Sequence, residues 1–230
     1  MKFKGTFGDQ FSGSLAGITA SRNRGGGYLR QRTVPVNPNT TQQQAVRNFF
    51  SQLAAAWGGT LTQAQRDAWK VYAENTPRTN SNGDPIILTG MQTYQRCNVG
   101  RLQAGLSRID DGPTTFGLTE ISDISITSIS EATQQLTLAY NNADAWANDD
   151  DGGLMVSISR PQSPTIEYFK GPYRFAGVEA GDGTTPPTSP LVVAVPFPIV
   201  AGQKVFVKVV GSDGEGRLSS FFRDGAVASA

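Results

Sequence analysis

Hydrophobic positions along this 230-residue chain change period twice. Over 1–38 there is no helical period, only short alternations at Lys2-Phe3-Lys4 and Leu15-Ala16-Gly17-Ile18, which predict edge strands or hairpins. Pro35 and Pro38 keep Val34 and Asn37 extended and end this stretch. Helical spacing follows. Val46, Phe49, Phe50, Leu53 and Trp57 fall on one face of a first helix, and Ala68, Trp69, Tyr72 and Ala73 on a second. Met91, Tyr94, Val99 and Leu102, with Gly100 and Gly105 near the end, mark a third. A T-x-x-Q capping box opens each: Thr40 with Gln43, Thr62 with Gln65, and Thr89 with Gln92. Each cap is worth about 1 kcal/mol. Gly58-Gly59 closes the first helix and Pro77 stops the second. The short connection predicts that these two are near-antiparallel neighbours with Trp57 and Trp69 in a shared core, not as ligand platforms.

The period changes again after Asp110-Asp111-Gly112-Pro113, which reads as a domain boundary. Segments 121–129, 135–140, 154–159, 191–195 and 205–209 alternate, with Gly/Pro/Asp turns between them. Their spacing predicts about seven strands and a β-sandwich of the immunoglobulin or fibronectin-III type. No cysteine pair supports a true immunoglobulin domain, so the likeness is one of fold. The expected class is α+β: an extended basic N-terminal arm (1–38), a small helical module (39–110) and a C-terminal antiparallel Ig-like β-sandwich (111–230).

Composition narrows the chemistry. The chain has no histidine and one cysteine, Cys97. An intramolecular disulfide is impossible, and the commonest general base and metal ligand are missing. No Walker A, Rossmann or G-x-S-x-G element is present. An enzyme is not expected, nor a cofactor or metal. Asn148-Asp149-Asp150-Asp151-Gly152 lacks the ligand spacing of a calcium loop and reads as a solvated turn. No run of about 18 apolar residues suggests a membrane span, and residues 1–14 lack a signal-peptide core, so the chain is expected to stay in the cytoplasm or leave it within a larger particle.

Net charge is +1, but residues 1–110 hold 13 basic and 5 acidic side chains, and 111–230 hold 7 and 14. That polarity suits layered or head-to-tail packing against an acidic surface. The arm has six Lys/Arg against one Asp and cannot bury itself, so it needs a surface to lie on. Arg22, Arg24, Tyr28, Arg30 and Arg32 are its candidate contacts. They could track phosphates, but with no dense basic run the preferred partner is a neighbouring subunit's carboxylates, which arginine grips bidentately. Nucleic acid is disfavoured. Trp146 lies in a stretch without strand period and is a candidate glycan or partner contact, against packing over the sandwich end. Phe169, Tyr173 and Phe175 pose the same choice.

Residues 17–26, Tyr28-Leu29-Arg30, 35–40, Leu61-Thr62 with Gln65-Arg66 and Trp69, and Thr89-Gly90 with Asn98 carry a resemblance. Over about 1–105 the chain resembles a group of uncharacterised tailed-bacteriophage proteins encoded near structural genes. The resemblance implies a virion component, assembled in the host cytoplasm, and carries over no catalytic positions. The expected function is a capsid decoration or cement protein, a homo-oligomer whose arm clamps neighbouring copies of the major capsid protein. The alternatives are a tail, baseplate or neck component, or a glycan-binding host-adhesion module.

Overall fold

The computed structural model describes residues 2–3, 13–23, 26–79 and 84–230. Arg24 and residues 80–83 of the turn expected over 80–85 lie outside them. Among the described residues the chain is α+β, with three helices and four antiparallel sheets, and it divides into two compact units, Met1–Thr41 and Gln42–Ala230.

The first unit holds four short strands, β1 (Lys2–Phe3), β2 (Gly13–Leu15), β3 (Ile18–Asn23) and β4 (Gly26–Gln31), in the antiparallel order β1-β4-β3-β2, so that β2, β3 and β4 meander and β1 pairs with β4. Among the described residues, the segment expected as one extended arm is paired in strands as far as Gln31, and 32–40 lacks regular structure. The alternation around Leu15 and Ile18 becomes a hairpin, with those two residues paired across the turn. Ala16 (φ +46°) and Gly17 (φ +81°) both take the left-handed conformation, whose twist matches that of the flanking strands. Glycine adopts it freely, whereas a left-handed alanine costs about 1–2 kcal/mol. None of the described residues from 13 to 41 is buried.

In the second unit, α1 (Thr41–Gly59), α2 (Gln63–Asn75) and α3 (Gly90–Ala104) occupy the expected stretches, with a short pair, β5 (Arg78–Thr79) and β6 (Pro85–Ile86), between α2 and α3. Both capping boxes at α2 and α3 close reciprocally. The Thr62 amide donates to Gln65 Oε1 at 2.8 Å and the Gln65 amide to Thr62 Oγ1 at 3.3 Å. The corresponding distances at Thr89 and Gln92 are 3.0 and 3.3 Å. Left-handed Gly105 ends α3 by donating its N–H to the carbonyls of Arg101 and Leu102.

Helix pairing differs from the expected α1–α2 hairpin. The close pair is α2 with α3, and α1 joins through its C-terminal half, where Leu53 and Ala56 are buried. Tyr94 of α3 organises the core: the rings of Trp57 and Trp69 both lie 5.5 Å from its own. Gly90 permits this, because a Cβ there would stand 3.0 Å from the Lys70 backbone nitrogen and 3.3 Å from the Trp57 ring. Toward its N-terminus α1 is less covered, and Phe50 is 44% exposed.

The segment expected as a domain boundary is a strap tied to the helices. Trp69 Nε1 donates to the Asp110 carbonyl at 2.9 Å, and the Tyr94 hydroxyl to Asp110 Oδ1 at 3.1 Å. Fully buried Asn98 holds Ile109 from both sides, donating to its carbonyl at 3.0 Å and accepting from its amide at 2.8 Å. Gly112 sits directly on the α2 backbone, where a Cβ would come 2.7 Å from the Trp69 nitrogen. The period changes where the sequence indicates, yet helices and sheets belong to one compact unit.

Seven further strands follow: β7 (Ser125–Ser130), β8 (Gln135–Ala139), β9 (Gly153–Ser159), β10 (Tyr173–Ala180), β11 (Leu191–Ala194), β12 (Lys204–Ser212) and β13 (Phe222–Val227). They form a three-stranded sheet, β11-β8-β7, and a four-stranded one, β10-β9-β12-β13. Ile129, Leu136, Leu138 and Val193 of the first share a core with Val156, Ile158, Val205 and Val207 of the second. Strands β8 and β11 alternate buried positions with exposed or half-buried ones, as a one-sided strand should. Strand β9 is buried on both faces, because Met155 turns away from that core toward α3, where a Cβ on Gly100 would lie 3.1 Å from its sulfur.

Candidate functional site

Within the first unit, strand register decides which candidate contacts share a face. Tyr28 pairs with Ser21 and Lys2, and Arg30 with Thr19. Two residues apart on β4, Tyr28 and Arg30 lie on one face. Arg22 sits opposite Gly27, one step out of that phase. Arg32 follows the strand and anchors it by donating its amide to the Gly17 carbonyl at 2.7 Å. Arg30 and Arg32 are exposed and have no ion pair among the described residues. The unit also exposes Leu15 (82%), Val34 (75%) and Val36 (89%). Among its described residues this sheet has uncovered apolar side chains and none that is buried, and small sheets are stabilised independently by a hydrophobic core.

Trp146 is a correction. It is fully buried in the shared core of the two sheets, edge-on to Tyr140 with ring centroids 5.2 Å apart. A side chain with no accessible surface offers no glycan platform. The Tyr140 hydroxyl is pushed up to about 12 by burial and then by the Glu179 charge, so that ring too stays neutral. In the neighbouring acidic loop, Asp149 Oδ1 accepts from the Asp151 amide at 3.1 Å and Asp150 Oδ1 from the Gly183 amide at 2.8 Å, so backbone donors hold these carboxylates. Among the described residues no group of three or more potential ligands is gathered for a metal ion.

The other aromatic cluster packs on the outer face of the four-stranded sheet. Phe169 stacks on Phe206 at 5.7 Å and meets Tyr173 edge-on at 5.5 Å. The Tyr173 hydroxyl donates to the Phe169 carbonyl at 2.8 Å. Tyr168 alone among these neighbours is largely exposed, beside a shallow cleft of about 120 Å³.

One concavity of the helical region carries no sequence motif. A cavity of about 450 Å³ lies where the end of α2, β5 and α3 meet, and Arg78, Arg96 and Cys97 line it. Cys97 is buried, and desolvation, the largest cause, raises its thiol pKa to about 12, with Arg96 and Arg78 opposing. At neutral pH it is therefore a packed thiol and not a nucleophile. Tyr72, also pushed up to about 12, chiefly by burial, donates its hydroxyl to the Gly117 carbonyl at 3.1 Å.

No protein-family model matches the chain, and no curated protein matches it in sequence. Among the described residues no helix is long and apolar enough to cross a membrane.

Proposed function

We propose that the protein is a structural component of a bacteriophage virion, a decoration or cement protein whose N-terminal unit clamps neighbouring copies of the major capsid protein. The observation that carries this reading is the 13–41 stretch, which forms paired strands while burying none of its described residues. Such a sheet gains stability when another surface covers its apolar side chains and pairs its edge. Arg30 and Arg32, with no carboxylate partner among the described residues, supply bidentate donors for acidic side chains on that surface. Tyr28, on the same face as Arg30, extends that contact. Linked contacts on adjacent subunits multiply affinity without a large individual interface.

The two-sheet half supports the second part of the proposal, an Ig-like or fibronectin-III-like module. Counted from β7, strands one, two and five form one sheet, and strands four, three, six and seven the other. Crossing between two sheets over a common core is the Greek-key habit of that class.

The test is particle binding by the full chain and by a variant lacking residues 1–32. Deletion is expected to weaken binding by about tenfold or more, equivalent to about 1.4 kcal/mol. Unchanged binding by a folded deletion variant contradicts the clamp.

A further inference from the structure

Arg78 on β5 and Arg96 on α3 both line the 450 Å³ cavity, and neither side chain has an ion pair or hydrogen bond among the described residues. Among the described residues no aspartate or glutamate lines it. Asp213, whose field reaches Tyr72 and Cys97, is committed to Arg217 at 2.7 Å. Partial burial lowers the Arg96 pKa first, and the Arg78 charge lowers it further. Two like charges in one concave site oppose each other until an oxyanion joins them.

The remaining walls select among oxyanions. Leu88, Leu218 and Pro77 make much of the lining apolar. Leu118, also in the lining, is 49% exposed, and Ile87 and Phe116, next in sequence to lining residues, are 63% and 50% exposed. A bare inorganic anion leaves that apolar surface wet. A peptide carrying a carboxylate beside aliphatic side chains satisfies the arginines and covers the leucines together.

We propose that this cavity is a docking site for an acidic, partly aliphatic segment of a partner protein, its carboxylate held by Arg78 and Arg96 and its aliphatic neighbour by Leu88, Leu118 and Leu218. This site lies wholly within the 42–230 unit and does not rest on the virion reading. The capped peptide acetyl-Leu-Asp-Leu-Glu-Leu-amide, its Asn/Gln isostere and inorganic phosphate serve as probes. Each is titrated into the full chain while the arginine Nε–Hε resonances are followed by NMR. The acidic peptide is expected to bind at least about tenfold more tightly than the isostere and to shift the Arg78 and Arg96 resonances. Arg78→Gln and Arg96→Gln should each weaken it by about tenfold or more, while Lys170→Gln leaves affinity unchanged. Comparing the two peptides on the unsubstituted chain keeps the test independent of whether a variant folds. Equal or absent binding of the two peptides, unchanged affinity in both folded arginine variants, or phosphate alone reproducing the shifts at equal concentration overturns the proposal.

Discussion

Trp146→Ala is expected to cost about 3–5 kcal/mol of folding stability, the range for deleting a fully buried large aromatic. The indole fills the space between the two sheets beside Tyr140 and has no accessible surface. Its surroundings cannot collapse to fill the void. The Trp146 carbonyl is crowded so closely by Gly152 and Gly181 that neither position has room for a Cβ, and the Asp182 amide donates to the Ala147 carbonyl at 3.0 Å. Trp146→Phe should cost far less, within about 1.5 kcal/mol. It keeps an aromatic body and removes an indole N–H that has no hydrogen-bond partner. Denaturant unfolding of the three proteins checks both expectations. An alanine variant as stable as the parent would contradict the burial.

Arg101→Ala should be the next most damaging change, at about 3 kcal/mol. Arg101 is fully buried where α3 meets the four-stranded sheet. Its Nε donates to the Ser107 carbonyl and one terminal nitrogen to Ser212 Oγ, both at 2.9 Å. Burial lowers its pKa, and the charges of Asp151, Asp213 and Asp149 oppose that shift. Alanine leaves both a cavity and two polar atoms without their donor. Arg101→Met keeps most of the volume but leaves the same two acceptors without a donor, so a smaller loss of about 2 kcal/mol is expected. Equal losses in the two variants, read from the same unfolding curves, would show that the hydrogen bonds, and not the volume, tie α3 to β12.

Local features were legible in the chain and long-range ones were not. The caps at Thr62 and Thr89 need only residues three apart, so the T-x-x-Q spacing suffices to place α2 and α3. Partner choice among helices is different. Tyr94 and Gly90 draw α3 onto α2, and a glycine's value as a contact point appears only once the opposing Lys70 backbone is known. The same holds for Trp146, which sits in a stretch without strand period and whose carbonyl is crowded by Gly152, nearby in sequence, and by the distant Gly181. Strand β9 reads as an alternating one-sided strand, but a helix covers the face that solvent would otherwise meet. Of the arm candidates, adjacency of Tyr28 and Arg30 follows from their spacing, while the out-of-phase position of Arg22 depends on a register set across two strands. Arg78 and Arg96 belong to different elements, and no local pattern links them.

On the proposed virion reading, the most direct measurement is quantitative mass spectrometry of DNase-treated, density-purified particles of a phage carrying the coding sequence, comparing copies of this chain with those of the major capsid protein. A cement role predicts a stoichiometric ratio, at least one copy for every several coat subunits. Only a handful of copies per particle, or none, would contradict it.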